Sequence, residues 1–144
     1  ASFEDVVEFD KVLDEHHQNW ESVFKTYEKT RKKDTDAIAD LAIDNFHEMK
    51  DHVNNAIFRE KRNLEMALEK TFPNEYSSKY SLVTFNEDIG YRQAMLQGRA
   101  QDKAILNLLA DKDININDDL KIILEKVKAA TKNILEDDKI AGLK

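Results

Sequence analysis

Apolar residues along the chain recur three and four positions apart, the spacing of a helix face. Phe3, Val6, Val7, Phe9 and Leu13 form the first such band. "EHHQN" interrupts it, and Asn19 then offers an N-cap to a second helix with Trp20, Val23, Phe24 and Tyr27 on one side. Arg31, Lys32 and Lys33 are placed in the last turn of that helix, where cations suit the dipole. From Asp34 or Thr35 the helical pattern continues to Phe72, with a bend or break expected where the apolar face switches, between Val53 and Ala56. Ile57, Leu64, Leu68 and Phe72 line its second half, and Pro73 ends it by removing a donor and restricting its predecessor.

One stretch reads differently. In "KYSLVTF", Lys79 to Phe85, the Tyr, Val, Thr and Phe favour an extended backbone. A lone strand forms no sheet, so this piece is predicted to run extended against helices. Helix resumes at Tyr91 through Ala94, Ile105, Leu108 and Leu109. The chain closes with an amphipathic helix capped by Asn117, whose stripe is Leu120, Ile123, Leu124, Val127, Ile134 and Leu135. The predicted fold is all-α: an antiparallel helical bundle with one short extended segment.

Composition agrees with long helices and short turns, since 144 residues contain only three Gly and one Pro. The length suits one compact unit with a modest core. A net charge of −7 works against binding a phosphate backbone, so no nucleic-acid role is expected. No run of about 18 apolar residues is present to suggest a membrane span, and no signal peptide is visible. With no Cys, the expected compartment is the cytoplasm. The sequence opens at "ASFEDVVEFD", without Met and already helical, with Ser2 and Asp5 at capping-box spacing. It reads as a fragment of a longer protein.

Candidate chemistry centres on "LAIDNFHEMKDHV", Leu41 to Val53, which nearly spells the zinc motif H-E-x-x-H. That motif works because residues four apart lie about 40° apart on a helix. Here the second imidazole arrives one residue late, so His47 and His52 diverge by roughly 140°. His47 shares a face with Asp51, but two ligands without a third make a weak site. His16 and His17 are adjacent, about 100° apart, and are read as a solvated loop or helix end. No metal is expected. The same helical wheel puts Ile38, Leu41, Ala42, Met49 and Val53 on a stripe expected to be buried, with Asn45 in its middle. A buried amide without partners costs roughly 1–3 kcal/mol. Asn45 is therefore either a core residue satisfied by backbone or water, or a pocket residue holding a polar ligand group. Tyr80 poses the same choice, between a packed ring with a solvated hydroxyl and a ligand contact.

Taken in order, "FED", "TRKKDTDAIADLAIDNFHEM" and "YSLVTF" resemble the kynurenine 3-monooxygenase family, from the first residue to about Ala100. In that family an Asn in N-[YF]-x-E-M and a Tyr in Y-x-x-V-T-F bind substrate, which implies substrate contacts at Asn45 and Tyr80. Met49, one turn from Asn45, is implied as an apolar wall, with a plain core role the alternative. Phe46 stands where many relatives have Tyr, and Lys79 where an apolar residue or His is common; either would reshape the pocket rim. The resemblance implies a parent enzyme that uses FAD and NADPH to hydroxylate L-kynurenine at C3, in tryptophan degradation and NAD biosynthesis. In it Ala1 and Ser2 would lie near the flavin, just after a G-Q-G-M-N segment. Residues 1–33 would end the flavin-domain helices, and residues 34–144 would form a C-terminal helical substrate-capping domain of a soluble, bacterial-type member. No G-x-G-x-x-G fingerprint is present. The fragment alone is thus expected to be inactive and to bind neither FAD nor kynurenine tightly, and to self-associate through faces that meet the missing N-terminal FAD domain. The competing reading is a helical interaction module without catalysis; Asn45 and Tyr80 converging on one cavity would tell against it.

Overall fold

Six helices carry the described part of the chain: α1 (Ser2–Glu15), α2 (Trp20–His52), α3 (Ala56–Thr71), α4 (Lys79–Phe85), α5 (Tyr91–Ala110) and α6 (Leu120–Gly142). This computed structural model describes residues 2–17, 19–52 and 55–142, except the side chains of Ser2 and His52. No strand occurs among the described residues, in keeping with the all-α expectation. The Ser2 side of the expected Ser2–Asp5 box and the place of Val53 in its stripe lie outside the described residues.

Local chemistry sets most helix ends. The Asn19 side chain accepts from Ser22 N at 3.3 Å, as an N-cap should. Asn55 does the same for α3 through Ile57 N at 3.1 Å. Phe72 is the C-cap of α3, immediately before Pro73. The α6 cap is Asp119 rather than Asn117: its Oδ1 takes Lys121 N at 2.8 Å, while Asn117 lies in the preceding turn.

Two expectations about α2 and α4 are overturned. Arg31 is not in a last turn, because α2 runs unbroken from Trp20 to His52. The Arg31 guanidinium is buried against Asp5 of α1, 2.8 Å from Nε, and Asp34, so it pins the two helices together. Lys79–Phe85 is helical rather than extended. Ser78 caps it by accepting from Ser81 N, and the three residues it buries, Lys79, Leu82 and Val83, are spaced i, i+3, i+4. That spacing and cap outweigh the strand propensity of the individual residues.

The central helix is α5, which packs against α2, α3, α4 and α6. One core joins Leu64 and Leu68 of α3, Ile105 and Leu109 of α5, and Ile123, Leu124 and Val127 of α6. The other joins Ala37 and Leu41 of α2, Leu82 and Val83 of α4, and Ala94 and Met95 of α5. Fully burying each large aliphatic contributes about 1.5–3 kcal/mol, so these clusters fix the helix arrangement. The expected α2 stripe is only partly buried. Leu41 is 7% exposed, but Met49 is 71% exposed and Ala42 is open to solvent. The face that turns inward passes through Ala37, Leu41, Asp44 and Glu48, because cations wait there for the two acids.

Candidate substrate cleft

Between α2, α3 and the start of α4 lies a cleft of about 440 Å³. Asn45, Glu48 and Met49 line it from α2, Arg62, Glu65, Met66 and Glu69 from α3, and Ser78, Tyr80 and Ser81 from the α4 end. All three residues marked out in the sequence, Asn45, Tyr80 and Met49, thus border one space. They border it from different elements, 35 positions apart for Asn45 and Tyr80. Asn45 is half-buried rather than the buried amide expected from the helix wheel, and Tyr80 is 50% exposed. Among the described residues, neither the Asn45 amide nor the Tyr80 hydroxyl has a hydrogen-bond partner; the Tyr80 ring meets Phe85 edge-on at 6.2 Å. Both polar ends are therefore free for a ligand. Phe46 is two-thirds exposed and does not line the cleft.

Behind the cleft, two of its lining acids, Glu48 and Glu65, belong to a buried ionic cluster. Lys61 Nζ lies 3.1 Å from Glu65 and 3.0 Å from Asp102. Lys79 Nζ lies 2.5 Å from Glu48, 2.7 Å from Asp102 and 3.2 Å from Asp44. Arg99 holds Asp44 from the other side with two bonds of 2.9 and 3.0 Å. Tyr76 donates to Glu65 at 3.5 Å. Two lysines thus face three carboxylates, Glu48, Glu65 and Asp102, and the cluster becomes neutral if one of them holds a proton.

Glu65 is the carboxylate that burial drives toward protonation. Burial, with repulsion from Asp102 and against the pull of Lys61, raises its pKa from 4.5 to about 7. Asp102 goes the other way: burial pushes it up, but Lys61 and Lys79 more than offset that, and its pKa is lowered. The sign follows for stability. A carboxyl whose pKa is raised on folding is held more tightly protonated in the native state, so folding weakens as pH climbs through the window from 4.5 to about 7. Glu65→Gln removes that titration. Between about pH 5 and about pH 8 the wild type should lose stability relative to Glu65→Gln by on the order of 1–3 kcal/mol, read by urea denaturation across the range. A difference that stays flat or reverses would contradict the assignment of the proton to Glu65.

The imidazoles do not join this site. His47 is exposed and edge-on to Phe46 at 5.8 Å, while the His52 side chain is outside the described residues. Among the described residues no group of three or more His, Cys, Asp or Glu side chains is arranged to hold a metal ion. None of their helices is long and apolar enough to cross a membrane.

The residues present do not fit a dinucleotide either. The three glycines are scattered, Gly90 before α5, Gly98 inside it and Gly142 at the end of α6. No strand-to-helix turn among the described residues brings backbone amides together for a pyrophosphate.

No family model matches the chain. Sequence relatives are clear. Kynurenine 3-monooxygenase of Dictyostelium discoideum is 38% identical, over 78% of this chain and 27% of the relative. That of Myxococcus xanthus is 39% identical, over 75% and 23%, and that of Cytophaga hutchinsonii 32%, over 94% and 30%. The chain therefore spans about a quarter of the length of the relatives it matches. Identity at this level, repeated in distant organisms and running through the helices that form the cleft, shows that the chain belongs to the kynurenine 3-monooxygenase family.

Proposed function

We propose that this chain forms the C-terminal part of a kynurenine 3-monooxygenase, and that its cleft receives the amino-acid end of L-kynurenine. The observation that supports this most is the pair of unpartnered polar groups, Asn45 and Tyr80, bordering one cleft from α2 and α4. The amide can donate to a carboxylate and the phenol can do the same, while Met49 and Met66 offer apolar surface to a ring. Neither donor carries charge. Arg62 is the cation among the cleft-lining residues, and further positive charge would come from the rest of the protein. In this reading residues 34–144 cap the substrate and residues 1–33 belong with the flavin-binding part, α2 carrying both. FAD and NADPH would be held outside this chain, whose described residues lack a cradle for them.

The outer face of α1 and the start of α2 fit the same picture. Phe3, Val6, Val7, Trp20 and Phe24 are all more than half exposed, and the Trp20 and Phe24 rings lie 5.9 Å apart. Such a patch would meet the remainder of the enzyme, and in its absence the chain would self-associate. The 144 residues alone would then fold as a helical unit without binding FAD or kynurenine tightly.

Kinetics on the full-length protein test the reading. Asn45→Ala and Tyr80→Phe each remove a charge-assisted hydrogen bond worth about 1.5–3 kcal/mol, so each should raise the KM for kynurenine roughly tenfold to a hundredfold. Flavin content and folding should be unchanged. Wild-type KM in both variants would sink the assignment of Asn45 and Tyr80 as substrate contacts.

A further inference from the structure

Lys79 is the residue immediately before Tyr80, yet it points away from the cleft and is 6% exposed. Its ammonium reaches across to Glu48 and Asp44 on α2 and to Asp102 on α5. The first turn of α4 is thereby tied to two other helices by one side chain. A second feature fixes the same residue from behind. A Cβ added at Gly98 of α5 would lie 2.5 Å from Lys79 Cγ, 2.7 Å from its Cβ and 2.8 Å from its Cα. No side chain fits there, so α4 rests directly on the α5 backbone at this point.

We propose that Lys79 is a positioning residue for the substrate cleft: by clamping the start of α4 onto α2 and α5 it sets Tyr80 opposite Asn45. This rests on the reading of the cleft as the substrate site. The geometry makes the role specific. Glu48, which takes the shortest of the three Lys79 contacts, lies one turn along α2 from Asn45 and itself lines the cleft. The clamp therefore joins the element bearing the amide to the element bearing the phenol. Burial alone would lower the Lys79 pKa, but Asp102 and Glu48 raise it above the ordinary lysine value, so the clamp stays charged through the neutral range.

The test uses Lys79→Met, which keeps length and removes charge, alone and combined with Tyr80→Phe in the full-length protein. The KM for kynurenine should rise roughly tenfold with kcat within about twofold of wild type. Tyr80→Phe should then add less than about twofold in the Lys79→Met background, because the two act through one contact. Amide exchange should quicken in α4 and stay unchanged in α6. Gly98→Ala, with every charge retained, should reproduce the KM effect by displacing Lys79, and it decides the matter if Lys79→Met does not fold. Unchanged α4 exchange, effects of Lys79→Met and Tyr80→Phe that simply multiply, or a normal KM in Gly98→Ala would each overturn the proposal. A Tyr80→Phe variant with wild-type KM, despite faster α4 exchange in Lys79→Met, would instead defeat the reading of the cleft, and the proposal with it.

Discussion

Lys61→Met is expected to lower the unfolding free energy by about 3–5 kcal/mol near neutral pH, the cost of stranding buried charge. Lys61 is 2% exposed, and its ammonium sits within 4.0 Å of Glu48, Glu65 and Asp102. Replacing it with a side chain of similar length keeps the packing and leaves those three carboxylates with Lys79 as their main buried counter-charge. The pair as a whole need not be more stable than an apolar core; it is the removal of one partner that costs so much. The pH dependence gives the signature. Lys61 has its pKa raised by Glu65, Asp102 and Glu48 against the opposing effect of burial, so it is charged throughout the neutral range. In its absence the acids relieve their repulsion by taking up protons, so the deficit should shrink as pH falls toward about 5. Urea unfolding at several pH values reads this directly. Lys32→Met is the control: Lys32 pairs with Asp36 at 2.6 Å in full contact with solvent, and its loss should scarcely register. Equal small effects for the two lysines would mean that the buried cluster is not what holds α2, α3 and α5 together at the cleft.

Ile105→Ala should cost about 2–5 kcal/mol, since it removes a fully buried side chain from a packed core. Ile105 is 0% exposed and belongs to the cluster that α3, α5 and α6 share. Its value is in what should stay the same. On α3, Leu64 and Leu68 enter that core while Arg62, Met66 and Glu69 face the cleft. A loss of packing on one side, borne by a helix that remains folded, should leave the KM for kynurenine within about twofold of wild type. Thermal unfolding and steady-state kinetics on the same preparation separate the two. A KM that rises with the loss of stability would mean that the core and the cleft are one cooperative unit.

The parts of the fold legible in the sequence are those governed by local chemistry. Pro73 marks the end of α3, Tyr91 the start of α5, and Asn19 the cap of α2, each in the expected place. Where tertiary partners decide, the pattern misleads. Lys79 looks like a surface residue, so the i, i+3, i+4 spacing it makes with Leu82 and Val83 is hidden, and the remaining residues read as a strand. The same blindness turns the inward face of α2. Asp44 and Glu48 count as polar on a wheel, and only the presence of Lys79, Lys61 and Arg99 from other helices makes them inward-facing. A burial pattern that treats all charges as outward cannot find a core held by paired ones. Asn45 and Tyr80 were marked by resemblance to a family motif, and periodicity alone left both open to a plain packing role. Glu65, Arg62 and Glu69 carried no signal, since spacing within α3 does not reveal which neighbour will leave a gap.

If the cleft is the substrate site, Asn45 meets kynurenine from α2 and Tyr80 meets it from α4. The decisive experiment is a crystal structure of the full-length protein with kynurenine bound. The carboxylate of kynurenine is expected within hydrogen-bond distance, about 3.2 Å or less, of both the Asn45 amide nitrogen and the Tyr80 hydroxyl. Kynurenine bound elsewhere, with the space between α2, α3 and α4 holding only solvent, would contradict this placement.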